Sequence, residues 1–239
     1  AIRDAVSKTS GEKLGAIAGD LATVEEMYAL KLLMQALGSA NIDCRQDGAA
    51  LDPAKGRASY IFNPTIDGIE QADAVLIIGS NPRFEASVLN ARIRKRWRQG
   101  DMPVGVIGEV GDLRYDYEML GASAETLSHL ADGSIKFLSV LKKAKRPLII
   151  VGQGALARAD GASVLGLAAK IAGDVKAVTD EWNGFAVLHT AAARVGGLDL
   201  GFVPGEGGKS VAAMMGAMDV MFLLGADEMD TSKIGEAFT

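Results

Sequence analysis

The sequence predicts an α/β fold made of two parallel-sheet lobes. Three observations carry this: short apolar runs without polar alternation, helical periodicity between them, and one strand pattern that occurs twice. Ala74–Gly79 (AVLIIG) and Pro147–Gly152 (PLIIVG) are apolar throughout. Strands read this way when helices cover both faces of a parallel sheet. Ala72–Gly79 (ADAVLIIG) and Met218–Gly225 (MDVMFLLG) share an acid, an apolar run and a closing glycine, which suggests one such unit in each lobe.

The elements follow in order. Leu14–Gly19 is a short apolar strand. Thr23 and Glu26 have capping-box spacing, because the threonine can accept from the third amide while the glutamate reaches back. Met27, Leu30, Leu33, Met34 and Leu37 then recur with helical period as far as Gly38. Gly48–Pro64 is rich in turn residues and reads as a crossing loop. After the strand Ala74–Gly79, the turn Ser80-Asn81-Pro82-Arg83 opens a helix from Phe84 to Arg98, with Phe84, Val88, Ile93 and Trp97 facing the core. Pro103–Gly108 is a strand, Tyr115 and Tyr117 lie on a shorter one, and Ser123–Leu130 and Ile135–Ala144 are helical. Pro147–Gly152 leads to a glycine turn, followed by a helix at Ala162–Ala172, a strand at Val175–Thr179 and a helix at Phe185–Val195. The glycine-rich stretch Gly196–Gly208 is a loop, and Asp219–Gly225 is the last strand. The chain ends soon after it without a closing element, which reads as a break inside a longer protein.

Composition narrows the function classes. The 239 residues hold 49% hydrophobic and 23% charged residues, which is ordinary globular usage. No apolar run is long enough to span a bilayer. The net charge of −5 argues against a nucleic-acid partner, since such proteins carry a basic excess. One Cys and two His cannot supply a four-thiolate iron–sulfur site or a four-ligand zinc site of Cys and His.

Several segments could carry chemistry. Gly79, Ser80, Asn81 and Pro82 join a buried strand to a helix, the end of an open α/β sheet where ligands bind. Glycine there admits close backbone approach, and the helix start offers free amides to a phosphate. The simpler alternative is that Asn81 and Pro82 only start the helix. Gly152, Gln153 and Gly154 begin a relaxed G-x-G-x-x-A dinucleotide pattern ending at Ala157, and Asp180 stands where a ribose-binding acid would sit. That pattern has a defect, because helical periodicity resumes only after Gly161; a tight packing turn is the commoner meaning. Gly225 and Asp227 end the last strand and either bind a sugar or base or form a plain turn. Arg92, Arg94, Lys95, Arg96 and Arg98 form a basic cluster that is either a solvated face or a dock for an acidic surface or anion. His129 and His189 have no catalytic partner in the pattern, and Cys44 reads as a buried thiol.

The segment Gln71–Trp97 (QADAVLIIGSNPRFEASVLNARIRKRW) closely resembles the large iron–sulfur subunits of respiratory complex I. GDLRYDYEMLG at Gly111–Gly121, LDLGFVPG at Leu198–Gly205 and FLLGADE at Phe222–Glu228 extend the resemblance over nearly the whole chain. That family's C-terminal part is similar to molybdopterin-dependent oxidoreductases such as formate dehydrogenase and DMSO reductase. The resemblance implies two Rossmann-like lobes of their second and third domains: one discontinuous lobe of residues 1–48 and 146–239, truncated at its C-terminus, and an inserted lobe of residues 49–145. It also implies that Gly79–Pro82, Gly152–Gly154, Gly225 and Asp227 line a vestigial cleft for a pterin guanine dinucleotide.

The departures shape the functional expectation. Asp43–Leu51 (DCRQDGAAL) offers no sulfur or hydroxyl at the usual molybdenum-ligand position, and Cys44 comes too early. The expectation is therefore no cofactor in this chain, molybdopterin lost, no metal site and no catalytic residue, with iron–sulfur clusters in an N-terminal part of the full subunit. The function implied is a scaffold within NADH-quinone oxidoreductase, where electrons pass from NADH to quinone with proton translocation; the chain alone is expected to be inactive. Its partners would be other peripheral-arm subunits, with neither nucleic acid nor membrane insertion. Its location would be the cytoplasmic face of a bacterial inner membrane, or the matrix side in mitochondria. The alternative is a nucleotide- or dinucleotide-binding module.

Overall fold

The computed structural model describes residues 1–227 and 229–239, so Glu228, the last residue of the FLLGADE match, lies outside the described residues. The strands are β1 (Leu14–Ala18), β2 (Ile42–Asp43), β3 (Ala74–Ile78), β4 (Val104–Ile107), β5 (Glu118–Gly121), β6 (Pro147–Gly152), β7 (Phe185–Leu188) and β8 (Val220–Leu224). The helices are α1 (Ile2–Val6), α2 (Val24–Ala36), α3 (Thr65–Ile69), α4 (Pro82–Glu85), α5 (Ser87–Trp97), α6 (Ala124–Ala131), α7 (Phe137–Lys143), α8 (Gln153–Leu156), α9 (Gly161–Asp174), α10 (Arg194–Asp199) and α11 (Val211–Met214). The crossing loop after Gly48 contains two short 3-10 turns, Pro53–Lys55 and Arg57–Ser59.

The chain divides into two compact units, Ala1–Ala49 with Ala191–Thr239, and Ala50–Thr190. The expected return to the first lobe at residue 146 is corrected here. β6 pairs in parallel with β3, Ala74 opposite Pro147 through Ile78 opposite Val151, and β7 pairs in turn with β6. Backbone hydrogen bonds thus tie residues 147–188 to the inserted unit.

The first unit has a parallel sheet ordered β2-β1-β8. All five residues of β1 are buried, as a central strand requires. The predicted capping box forms at α2: the Thr23 hydroxyl accepts from the Glu26 amide at 3.3 Å, and the Glu26 carboxylate accepts from the Thr23 amide at 2.9 Å. Ile17 packs with Met214, Met218 and Met221 in this unit's core. The expected loop Gly196–Gly208 begins instead inside α10, because its glycines fit where α10 packs closely. A Cβ added at Gly197 would lie 2.7 Å from the Cys44 sulfur.

The second unit has a five-stranded parallel sheet ordered β5-β4-β3-β6-β7. The chain steps from β3 outward through β4 to β5, then returns to the other side of β3 for β6 and β7. The strand order therefore reverses between β3 and β6. Val75 and Ile77 of β3, Val104 and Val106 of β4, and Leu148 and Ile150 of β6 share one buried cluster with Ile69, Ile93 and Leu113. Full burial of each such side chain stabilises by about 1.5–3 kcal/mol.

Four further expectations change in this unit. Phe185–Leu188 is a strand, not the start of a helix. Four apolar residues in a row fit either period, and pairing with β6 on one side and a bridge from Phe62 to Ala186 on the other decides it. Val175–Thr179 forms no strand; it is a loop with one bridge, Val178 to Asn183. Tyr115 and Tyr117 precede β5 rather than lying on it, and the buried Tyr115 hydroxyl donates to Asn90 at 2.8 Å. The helix expected from Phe84 to Arg98 breaks at Ala86, which adopts φ −150° and ψ 64°. That break resets the helix phase. Asn90 and Ile93 face inward, whereas Phe84 and Val88 are 79% and 69% exposed.

Candidate functional site

The carboxyl ends of β3 and β6 meet where the strand order reverses, the position at which open α/β sheets bind ligands. Gly79 follows β3 with φ +59°, a conformation that suits glycine. A Cβ on Gly79 would fall 2.4 Å from the Ala155 Cβ, and one on Gly152 would fall 2.4 Å from the Gly79 carbonyl oxygen. The two glycines therefore bring both strand ends into backbone contact.

Beside this junction lies a cavity of about 240 Å³, lined among others by Ser80, Asn81, Glu85, Glu109, Gly154 and Arg158. The structure thus brings Gly79, Ser80, Asn81 and Gly154 together. Pro82 is buried at the start of α4. Gln153 is also buried, but its side-chain carbonyl accepts from the Thr190 amide at 2.9 Å and so ties α8 to the end of β7. The glycine turn opens directly into the short α8, and α9 begins at Gly161 after a further turn. Gly225 and Asp227 follow β8 in the first unit, both exposed. Asp180 precedes β7, at the amino edge of the sheet. It occupies no ribose-binding position, because Val175–Thr179, the strand expected to end there, does not form and the next strand begins only at Phe185.

The turn's donors already have an anionic partner within the chain. The Ser80 hydroxyl donates to Glu85 Oε2 at 2.8 Å, and the Asn81 amide donates to Glu85 Oε1 at 2.8 Å. Asn81 Oδ1 is buried without a hydrogen-bond partner among the described residues. Arg158 is held by both oxygens of Asp160, at 2.7 and 2.9 Å, and that guanidinium holds the Asp160 carboxyl below its ordinary range. Sequence reasoning missed Glu85, Glu109 and Arg158. For Glu85 a signal existed, since an acid one helical turn past Asn81 lies within reach of the turn's amides.

A dinucleotide phosphate does not fit this arrangement. It needs amide and hydroxyl donors at the turn, and here they converge on a carboxylate of its own charge, with Glu109 on the same wall. The donor set for a metal is equally poor. No three His, Cys, Asp or Glu side chains are grouped to hold an ion among the described residues. The sole cysteine, Cys44, is buried in the first unit, and that burial pushes its thiol up to about 12. A thiol held protonated this far above neutral pH is a poor metal ligand and nucleophile.

The first unit contains the most deeply buried charge among the described residues. The Arg194 side chain is fully buried, with Nη2 at 2.9 Å from Asp47 and 3.7 Å from Asp20. Gln46 donates to the same Asp20 oxygen at 3.1 Å. Sequence reading did not single out Arg194, because an arginine at the end of the expected helix Phe185–Val195 carries no burial signal.

No helix among the described residues is long and apolar enough to cross a membrane. The chain matches the molybdopterin oxidoreductase family model over residues 1–238. It is 41% identical over 237 residues to the G subunit of NADH-quinone oxidoreductase from Rickettsia felis, a match covering 99% of this chain and 34% of that protein. The protein of the same name from Rickettsia bellii is 41% identical over 238 residues, covering 100% of this chain and 34% of the relative. That of Rickettsia prowazekii is 38% identical over 237 residues, covering 99% and 34%. The chain spans about a third of the length of the curated relatives it matches.

Proposed function

This chain belongs to the molybdopterin oxidoreductase family, and from that premise we propose that it is a non-catalytic scaffold which has kept the family's fold and given up the pterin cofactor. The observation that carries the proposal is Glu85, whose carboxylate takes the Ser80 hydroxyl and Asn81 amide at the turn where a dinucleotide phosphate would need them. The names of the relatives, each a subunit of NADH-quinone oxidoreductase, support a setting among other subunits of such an assembly. Within it we place the chain in the peripheral arm, on the cytoplasmic or matrix side of the membrane. In that setting the chain contributes shape and surface, while redox centres elsewhere in the full-length protein carry the electrons.

One observation favours a second function, a nucleotide-binding module: Asn81 Oδ1 is a buried acceptor that a base or sugar could satisfy. Thermal unfolding with NADH, GDP and GTP separates the two. A scaffold keeps its melting temperature unchanged with each. A binding module gains about 2.7 kcal/mol at a hundredfold excess over its dissociation constant, which is a shift of several degrees. Such a shift with any of the three would remove the scaffold proposal.

A further inference from the structure

The basic cluster on α5 is untouched by the cleft. Pro82–Arg98 contains six basic residues and one acid, a local charge of +5, in a chain whose net charge is −5; the rest of the chain therefore carries −10. Among the described residues, acids from neighbouring elements offset part of this charge: Glu70 is shared by Arg92 and Lys95, the latter at 2.7 Å, Asp112 pairs with Arg83 at 3.2 Å, and Asp67 shares a surface groove with Arg92. Arg94 and Arg98 remain exposed, so the surface keeps a positive excess. Apolar groups accompany these charges. The break at Ala86 turns Phe84 and Val88 outward, and Ile66 on α3 is half exposed. Between α3, α5 and the end of β7 runs an open groove of about 730 Å³, lined by Phe62, Ile66, Leu89, Arg92, Val187 and His189 among others. Solvent-facing Phe and Val beside unneutralised arginines are typical of a surface that another protein covers.

We propose that the α4–α5 surface, with Phe84, Val88 and the groove beside Leu89 as its apolar part and Arg94, Lys95 and Arg98 as its charged part, docks an acidic segment with one apolar face from a neighbouring subunit. Charge complementarity selects that occupant. The rest of this chain is too acidic to approach nucleic acid or an anionic lipid surface favourably, whereas an acidic protein segment needs only the local patch. The proposal rests on the assembly setting given above. It names the face through which the scaffold holds a partner.

The test uses the full-length protein in its native membranes, with the photo-crosslinker benzoylphenylalanine at Phe84 or, separately, at Val88. Both positions are exposed, so neither substitution disturbs folding. The expected products join the chain to another subunit, at a segment of net negative charge with apolar residues on one face. Combining the probe with Arg94→Glu, Lys95→Glu and Arg98→Glu should lower the cross-link yield about tenfold while the chain remains folded. Products with lipid, with nucleic acid, with a second copy or within the same polypeptide would overturn the proposal, as would a yield unaffected by charge reversal. So would the lack of any product from protein that still co-purifies with other subunits, and in that case the assembly setting stands. Protein that co-purifies with no other subunit would overturn both.

Discussion

Replacing Gly152 with alanine is expected to destabilise this chain by about 3 kcal/mol, seen as a lower urea midpoint with an unchanged slope. The backbone at Gly152 is ordinary, with φ −81° and ψ 152°, so any residue could adopt it. The cost comes from contact alone. The new Cβ would lie 2.4 Å from the Gly79 carbonyl oxygen and 2.6 Å from the Ser80 Cβ. The first neighbour is backbone in β3's own turn, and it cannot move without separating β3 from β6 at the strand-order reversal. Gly166 in α9 is the control. A Cβ there meets nothing within 4 Å, so Gly166→Ala should stabilise by about 0.5–1 kcal/mol through helix propensity. Equal effects at both positions would show that the strand ends are not in contact.

Asp47→Ala is expected to destabilise by about 3 kcal/mol, more than Arg194→Met, which should be near neutral. Removing Asp47 leaves the fully buried Arg194 guanidinium with Asp20 alone, at 3.7 Å. Breaking a buried pair from one side strands a charge away from water and costs about 3–5 kcal/mol; the lower end applies because Asp47 is itself partly exposed. Arg194→Met removes the buried charge altogether. The loss is small, because Nε and Nη1 of Arg194 have no hydrogen-bond partners among the described residues and both aspartates reach solvent. Urea midpoints of the two variants order the costs. If Arg194→Met proves the more damaging, the guanidinium is a net stabiliser and the account of this pair is wrong.

What could be read from the sequence follows physical lines. β1, β3 and β6 were legible because a central strand must be apolar on both faces, and their short apolar runs close on a glycine. Thr23 and Glu26 were legible because capping is local chemistry. Phe185–Leu188 was not, since four apolar residues serve strand and helix alike until a neighbouring strand chooses between them. The same non-local pairing placed β6 and β7 in the second unit, against the boundary that the family resemblance implied. Gly79, Ser80, Asn81 and Gly154 were identified from the strand-turn-helix pattern and do line one cavity. The fate of that cavity was only partly legible: the spacing of Glu85 one helical turn past Asn81 puts its carboxylate within reach, but that it takes both Ser80 and Asn81 depends on where one side chain points.

On the function proposed above, the family's pterin cleft persists here as shape alone, with an internal carboxylate where a cofactor phosphate would lie. Its most direct measurement is the molybdenum and pterin content of the protein purified from cells supplied with molybdate. Both should lie far below one per chain, at the level of a control protein. Molybdenum and pterin approaching one per chain would contradict it.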